Sequence, residues 1–284
     1  MKRSLKSNRK SNLEVAGIYL IVLVMFVVIL YPLLWAVGIS LNPGTSMFSA
    51  KLIPDNWSTD NYNWLFNDPR SDYKLWYKNT LIVASFNALA SVFMVGLTAF
   101  VFSRYHFVGR KNTIYATLLM QVFPVLMGMV AIYLLLNLVG LLDTFTGLVI
   151  FYTVGGLPMN IFLVKGYMDT IPRDLDESAK MDGAGHLRIL TRILLPLIAP
   201  ILAVVALFTF MAPFMDFLTP RIILRSPEKY TVALGLFSFI NDKMGNNFTR
   251  FAAGTILIAL PISTVFLFLQ RYLISGLAEG GTKG

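Results

Sequence analysis

Six long apolar runs decide what this chain can fold into. They cover approximately residues 15–39, 81–102, 114–139, 147–164, 198–218 and 251–269. A helix needs about 20 apolar residues to cross a hydrocarbon layer of ~30 Å, and inside lipid every backbone polar group must find its partner within the protein. The expectation is therefore an all-α integral membrane protein with six transmembrane helices. Composition agrees: only 14% of residues are charged and 56% are hydrophobic, whereas soluble domains carry ~25% charge. A water-soluble fold of this length is excluded.

The basic excess, Lys+Arg 24 against Asp+Glu 15, reads as orientation rather than nucleic-acid binding, because cationic loops stay on the cytoplasmic side. Lys2, Arg3, Lys6, Arg9 and Lys10 precede the first run, which is too long for a signal peptide's apolar core and reads as a retained helix. Placing the amino terminus inside puts 15 of the 24 basic residues on the inner side. Both termini are therefore expected in the cytoplasm. Tyr31, Trp35, Trp57, Trp64 and Trp76 suit an interfacial aromatic belt. There is no cysteine, and His106 and His186 stand far apart, so thiolate chemistry is excluded and a metal centre is not expected.

The inner segment between the fourth and fifth runs is the most informative. Pro172 suits a first helical turn, Asp174, Asp176 and Glu177 complement the positive end of a helix dipole, and Asp182-Gly183 breaks the helix. From His186 a second helix follows, with Ile189, Leu190, Ile193 and Leu194 on one side and Arg188, Thr191 and Arg192 on the other. Pattern alone describes an amphipathic pair lying along a membrane surface.

The spacing Glu177-Ser178-Ala179, three residues, Gly183, nine residues, Ile193, one residue, Leu195-Pro196 resembles the EAA motif of binding-protein-dependent ABC importer permeases, with Ser178 where the family has Ala. The likeness runs from about Lys74 to the end, and is nearest to the maltose/maltodextrin permeases. It rests there on Asn79, on Pro200 to Val205, on Leu260-Pro261-Ile262 and Val265-Phe266-Leu267, and on the tail from Gln270 through Gly276-Leu277 to Gly280–Gly284. The resemblance implies a type I importer fold, with a first helix at 15–39 after a tail at 1–14, an extracytoplasmic loop at 40–73, a transmembrane domain at 74–271 and a cytoplasmic tail at 272–284. It implies that 166–196 docks on an ATPase subunit, with Glu177 as polar anchor, Ala179 and Gly183 allowing close approach, Asp182-Gly183 setting the interhelical angle and Pro196 marking entry to the fifth span. The implied partners are a second homologous permease, two ATP-binding cassette subunits that use ATP and Mg, an extracytoplasmic sugar-binding protein and lipid. This chain itself would bind no cofactor and would not be an enzyme.

Polar residues within the spans, Asn87, Gln121, Asn160 and Asp216, must face other helices or water. They are candidates for the transport pathway, weighed against helix-packing hydrogen bonds, and Asp216 against an interfacial role. Prolines at 124, 158, 200, 213 and 261 are expected to kink helices, and Gly155-Gly156 beside Pro158 to supply a flexible point. A secondary transporter would need ionisable or broken helices at the midplane, and a membrane hydrolase would need a nucleophile with its base; the sequence offers neither beyond Asp216.

Overall fold

The computed structural model describes residues 2–46, 54–241 and 246–281, with backbone alone at 2–13, 125–126 and 273–281. The tail residues 282–284 lie outside the described residues. No strand occurs among the described residues, so the backbone pairing that lipid demands is met by helices.

Four of these helices are long and apolar enough to cross a membrane unaided, at Glu14–Ser40, Tyr73–Arg104, Phe145–Met168 and Phe248–Tyr272. They belong to α1 (Lys2–Ser40), α3 (Tyr73–Arg104), α6 (Phe145–Met168) and α13 (Phe248–Gly281). Between the first two lies α2 (Asp60–Asn67). Pro32, Pro158 and Pro261 sit inside these helices without ending them, as does Gly155-Gly156.

The expected third span at 114–139 is not one helix. It is α4 (Arg110–Met120) and α5 (Val125–Leu138), of 11 and 14 residues, and the break falls where Pro124 lacks an N–H and disfavours helix at the residue before it. The turn at Gln121, Val122 and Phe123 closes with tight bonds to Leu118, Leu119 and Met120 carbonyls at 3.1, 3.1 and 3.2 Å. The expected fifth span at 198–218 is one helix over Ala199–Met215, and before it α7 (Asp174–Met181) is followed by an arm at His186–Leu197, bent by 77° from that helix. The arm comprises α8 (His186–Ile189), a π-helical stretch Leu190–Leu194 and α9 (Leu195–Leu197), and leads to α10 (Ala199–Met215). Pro196 has no N–H to return to residue 192, and the ladder widens there, with Leu195 N–H bonding back to Leu190.

The chain divides into two compact units. One comprises Met1–Ser71 and Phe239–Leu257. Its α1 is exposed on every side from Ile18 to Leu34, the condition of a helix bathed in lipid. Where α1 ends, Asn61 of α2 donates to the Ser40 and Asn42 carbonyls at 3.0 and 2.8 Å and accepts from Thr249 at 3.2 Å. Arg250 lies 3.9 Å above the Trp64 ring, a cation–π contact.

The other unit, Asp72–Ser238 with Ile258–Gly284, is built around α3. Towards one end of α3, Val83 packs with Leu136, Leu148, Ile223 and Leu224. Towards the other, Val95, Ala99 and Phe100 pack with Val164, Met168, Ile189, Leu194 and Val205. Two shorter helices, α11 (Leu218–Ile223) and α12 (Val232–Ser238), complete it. Asn79 donates to the Glu228 and Tyr230 carbonyls at 2.8 and 3.0 Å, and Thr80 accepts from Val232 N–H at 2.7 Å, so the first turns of α3 hold the segment that leads into α12. Trp76, assigned above to the interfacial belt, is instead 7% exposed and packs on Gly235. A helix-interior position facing α12 puts it in the core.

At the same end of this unit Asp143 forms a clasp. Its carboxylate accepts from the Arg225 and Ser226 N–H groups at 2.9 and 3.0 Å, from Ser226 Oγ at 2.5 Å and from Lys229 Nζ at 2.8 Å. Burial pushes this carboxyl up, but the Lys229, Ser226 and backbone donors outweigh it and hold Asp143 well below the usual carboxylate range. Its stabilisation is therefore complete above the unfolded value near ~4 and is lost only as pH falls through the depressed folded one. In pH-dependent melting, Asp143→Asn is expected to lower Tm at neutral pH and to remove the loss seen in the wild type at strongly acidic pH. A second expectation concerns Gly235: an added methyl would meet the Trp76 ring, so Gly235→Ala should cost about 1–3 kcal/mol in unfolding of the detergent-solubilised protein.

Candidate functional site

The segment that joins α6 to α10 starts from its own local chemistry. Helix α7 carries Asp174, Asp176 and Glu177 in its first turn, where negative charge meets unpaired N–H groups. It ends in a Schellman turn: Ala184 N–H bonds to the Ala179 carbonyl and Gly183 N–H to that of Lys180, both at 2.9 Å. Gly183 has φ +78°, a left-handed conformation that suits glycine. Asp182-Gly183 is thus the corner that the sequence predicted, and Ala184 and Ala179 both pack against the core at its inner side.

The segment has two unlike faces. Inward, Ile189, Leu190 and Leu194 are buried among Val95, Phe100, Val164 and Met168, with Ile193 and Leu195 packed beside them. Outward, Glu177, Ser178, Asp182 and Pro196 are exposed, together with Leu175, Met181 at 89% and Leu187 at 71%. Of the motif residues, Ala179, Ile193 and Leu195 therefore face this chain's own core, while Glu177, Ser178 and Asp182 face away from it. Large apolar side chains standing out beside carboxylates mark a surface that another molecule covers.

What fixes this segment to the spans was not singled out from sequence. Arg104, the last residue of α3, and Asp176 of α7 form an ion pair with Nε and Oδ2 2.5 Å apart, at side-chain exposures of 7% and 8%. The same guanidinium donates to the Met168 carbonyl and the Ile171 carbonyl, each at 3.1 Å. It thus joins the end of α3, the end of α6 and α7 at one point. Around it, Arg173 donates to the Ser103 carbonyl at 3.0 Å, and Ser103 Oγ donates to Asp169 at 2.6 Å. Lys165 lies 2.5 Å from the other Asp169 oxygen. Burial raises the Asp169 carboxyl, yet Lys165 and Ser103 together hold it below its ordinary value. The available signal was an acid at 176 that looked like dipole compensation and a basic residue at 104 that looked like an orientation charge.

The candidate pathway residues fall into two classes. Asn87 is buried: it donates to the Thr209 carbonyl at 2.7 Å and accepts from Thr153 at 3.0 Å, so it ties α3 to α10 and α6. Asp216 accepts the Tyr152 hydroxyl at 3.1 Å and the N–H groups of Leu218 and Thr219 at 2.9 and 3.1 Å, which caps α11. Gln121 is exposed at the break between α4 and α5, and Asn160 is half-buried on α6. The four are not gathered into one site.

The Arg104–Asp176 pair gives a direct test. Removing one partner of a buried pair leaves an uncompensated charge, so Asp176→Asn is expected to destabilise by about 3–5 kcal/mol. Arg104→Met combined with Asp176→Leu should recover much of that loss, read as the interaction energy of a double-mutant cycle in thermal unfolding.

Comparison with known proteins agrees with this geometry. Residues 93–279 match the family described as binding-protein-dependent transport system inner membrane component. The chain is 45% identical over 267 residues to the galactooligosaccharides transport system permease protein of Bacillus subtilis strain 168, covering 94% of each chain. It is 44% identical to the maltodextrin transport system permease protein of the same organism, covering 94% and 95%, and 40% identical over the full length of both chains to that of Streptococcus pneumoniae. In fold it is similar to a chain of a bacterial ABC transporter that imports the acidic polysaccharide alginate, with a TM-score of 0.75, 24% identity and coverage of 91% and 96%. A helical membrane domain with an outward-facing segment pinned to its span ends, and a family match over most of its length, lead to one conclusion: the chain belongs to the inner membrane components of binding-protein-dependent transport systems.

Proposed function

We propose that this chain forms half of the pore of an ATP-driven oligosaccharide importer and that residues 166–196 couple it to a separate ATPase subunit. The observation that carries this reading is the two-faced segment. Glu177, Leu175, Met181 and Leu187 are presented outward, and the buried Arg104–Asp176 pair fixes the same segment to the ends of α3 and α6. A cleft on an ATP-binding cassette subunit would receive the apolar side chains, with Glu177 as the charged anchor and Ser178 and Asp182 beside it. Closure of two such subunits around ATP and Mg would then push the corner at Gly183 and shift the balance between inward- and outward-open states.

The excess of basic residues on the side that carries this segment supports cytoplasmic termini. A second homologous permease would supply the other half of the pore, and an extracytoplasmic sugar-binding protein would deliver substrate. Gln121 and Asn160, whose side chains have no hydrogen-bond partner among the described residues, are assigned to the pathway, with Asn87 and Asp216 holding the helices beside it. Maltodextrins are the substrate first suggested by the resemblance, and the relatives named above support galactooligosaccharides equally.

The test is the complex purified with the products of its neighbouring genes. ATPase activity should rise with binding protein and sugar, and Glu177→Lys should abolish that stimulation together with uptake. Coupled rates equal to wild type in this variant would remove the assignment. Competition of labelled maltotriose uptake by unlabelled maltodextrins or galactooligosaccharides identifies the sugar.

A further inference from the structure

A cavity of about 570 Å³ plays no part in the coupling geometry. It opens where the chain passes from α3 to α4 and lies against the last turns of α6. Arg110, Lys111 and Lys165 line it, and so do Phe107, Tyr115 and Phe162. Three cations thus converge beside three aromatic rings that are 42%, 54% and 46% exposed, and the neighbouring Val108 is fully exposed.

Charge in this cavity is not balanced. Lys165 is paired with Asp169, but neither Arg110 nor Lys111 forms an ion pair among the described residues; Arg110 reaches only the Ser103 carbonyl, at 3.4 Å, and Lys111 stands 6.0 Å over the Tyr115 ring. No acid occurs in the first turn of α4 and no side chain caps it, so the helix end adds to the positive field. The position along the chain also matters. Arg110 follows the end of one apolar span by six residues and Lys165 lies in the last turn of another, which is headgroup depth for helices that cross lipid.

We infer that this cavity binds the phosphodiester headgroup of an anionic phospholipid, with Arg110, Lys111 and Lys165 around the phosphate and the acyl chains along Phe107, Tyr115 and Phe162. The apolar wall distinguishes a lipid from a soluble phosphate: a free anion would have no use for three exposed rings, whereas a lipid in the adjoining leaflet covers them. Basic recesses between membrane helices on the cytoplasmic side recognise such headgroups. The inference rests on the proposed orientation only for which leaflet supplies the lipid.

The experiment uses the whole importer complex in nanodiscs of phosphatidylcholine containing a minority of phosphatidylglycerol, with bound lipid counted by native mass spectrometry after release. Wild type should retain phosphatidylglycerol in preference to phosphatidylcholine. Removing two cations, each contributing ~1 kcal/mol, should weaken retention about 30-fold in Arg110→Gln/Lys111→Gln, and Arg110→Lys/Lys111→Arg should keep it. Equal retention of both lipids by wild type overturns the proposal without reference to any variant. So does unchanged phosphatidylglycerol retention in the glutamine variant, or its displacement by millimolar inorganic phosphate, which would mark a soluble-anion site. ATPase stimulation measured on the same samples separates this outcome from the coupling assignment: lipid selectivity with no stimulation would count against the proposed function alone.

Discussion

The architecture depends on one buried guanidinium. Arg104 ends the longest helix of the larger unit, and it meets Asp176 and the Met168 and Ile171 carbonyls together. Taking both charges out of water costs several kcal/mol each, and an ion pair of this kind repays it only when the remaining donors are also satisfied. Here the two terminal nitrogens of the guanidinium fall on the carbonyls of Met168, the last residue of α6, and of Ile171 just beyond it, while Asp176 Oδ1 has no hydrogen-bond partner among the described residues. The interaction that fastens α7 therefore also holds the end of a span. Neither can shift without exposing the other.

The rest of the larger unit is arranged so that motion at this point is shared. Helix α3 packs along α6 and α10 through two apolar clusters, and between them Asn87 bonds to both neighbours. Hydrogen bonds between membrane helices contribute only ~1 kcal/mol each, so Asn87 sets register more than it holds the helices together. The apolar clusters supply close packing, which moves as blocks rather than deforming continuously. At the other end, the Asp143 clasp binds the α5–α6 turn to the segment after α11.

Much of this was legible in the sequence for a simple reason: lipid leaves the backbone so few solutions that six apolar runs amount to a fold class. The corner at Asp182-Gly183 was legible because a left-handed residue and a stop signal coincide there, and the outward Glu177 because the motif spacing resembles a known family. Three features were not. The break at Pro124 divides a run whose hydropathy is unbroken, and the same residue type at 158 and 261 leaves its helix continuous, so a proline by itself does not mark the break. Arg104 and Asp176 are 72 positions apart, and each has an adequate local explanation by itself. Trp76 looked interfacial because tryptophan usually is in such a place, and only the nearness of Gly235 shows why it is not.

The elbow before Ala199 gives the molecule the geometry of a bell crank. Its short limb, the twelve residues from His186 to Leu197, is about 18 Å long, and the 17 residues of α10 make a long limb of about 25 Å. If the two turn as one body, a push of ~3 Å at the tip of the short limb rotates it by roughly 10°, and the far end of α10 then swings by ~4 Å at right angles to the push. With α10 crossing the membrane, a push along the membrane normal is converted into a swing within its plane, which opens or closes space there.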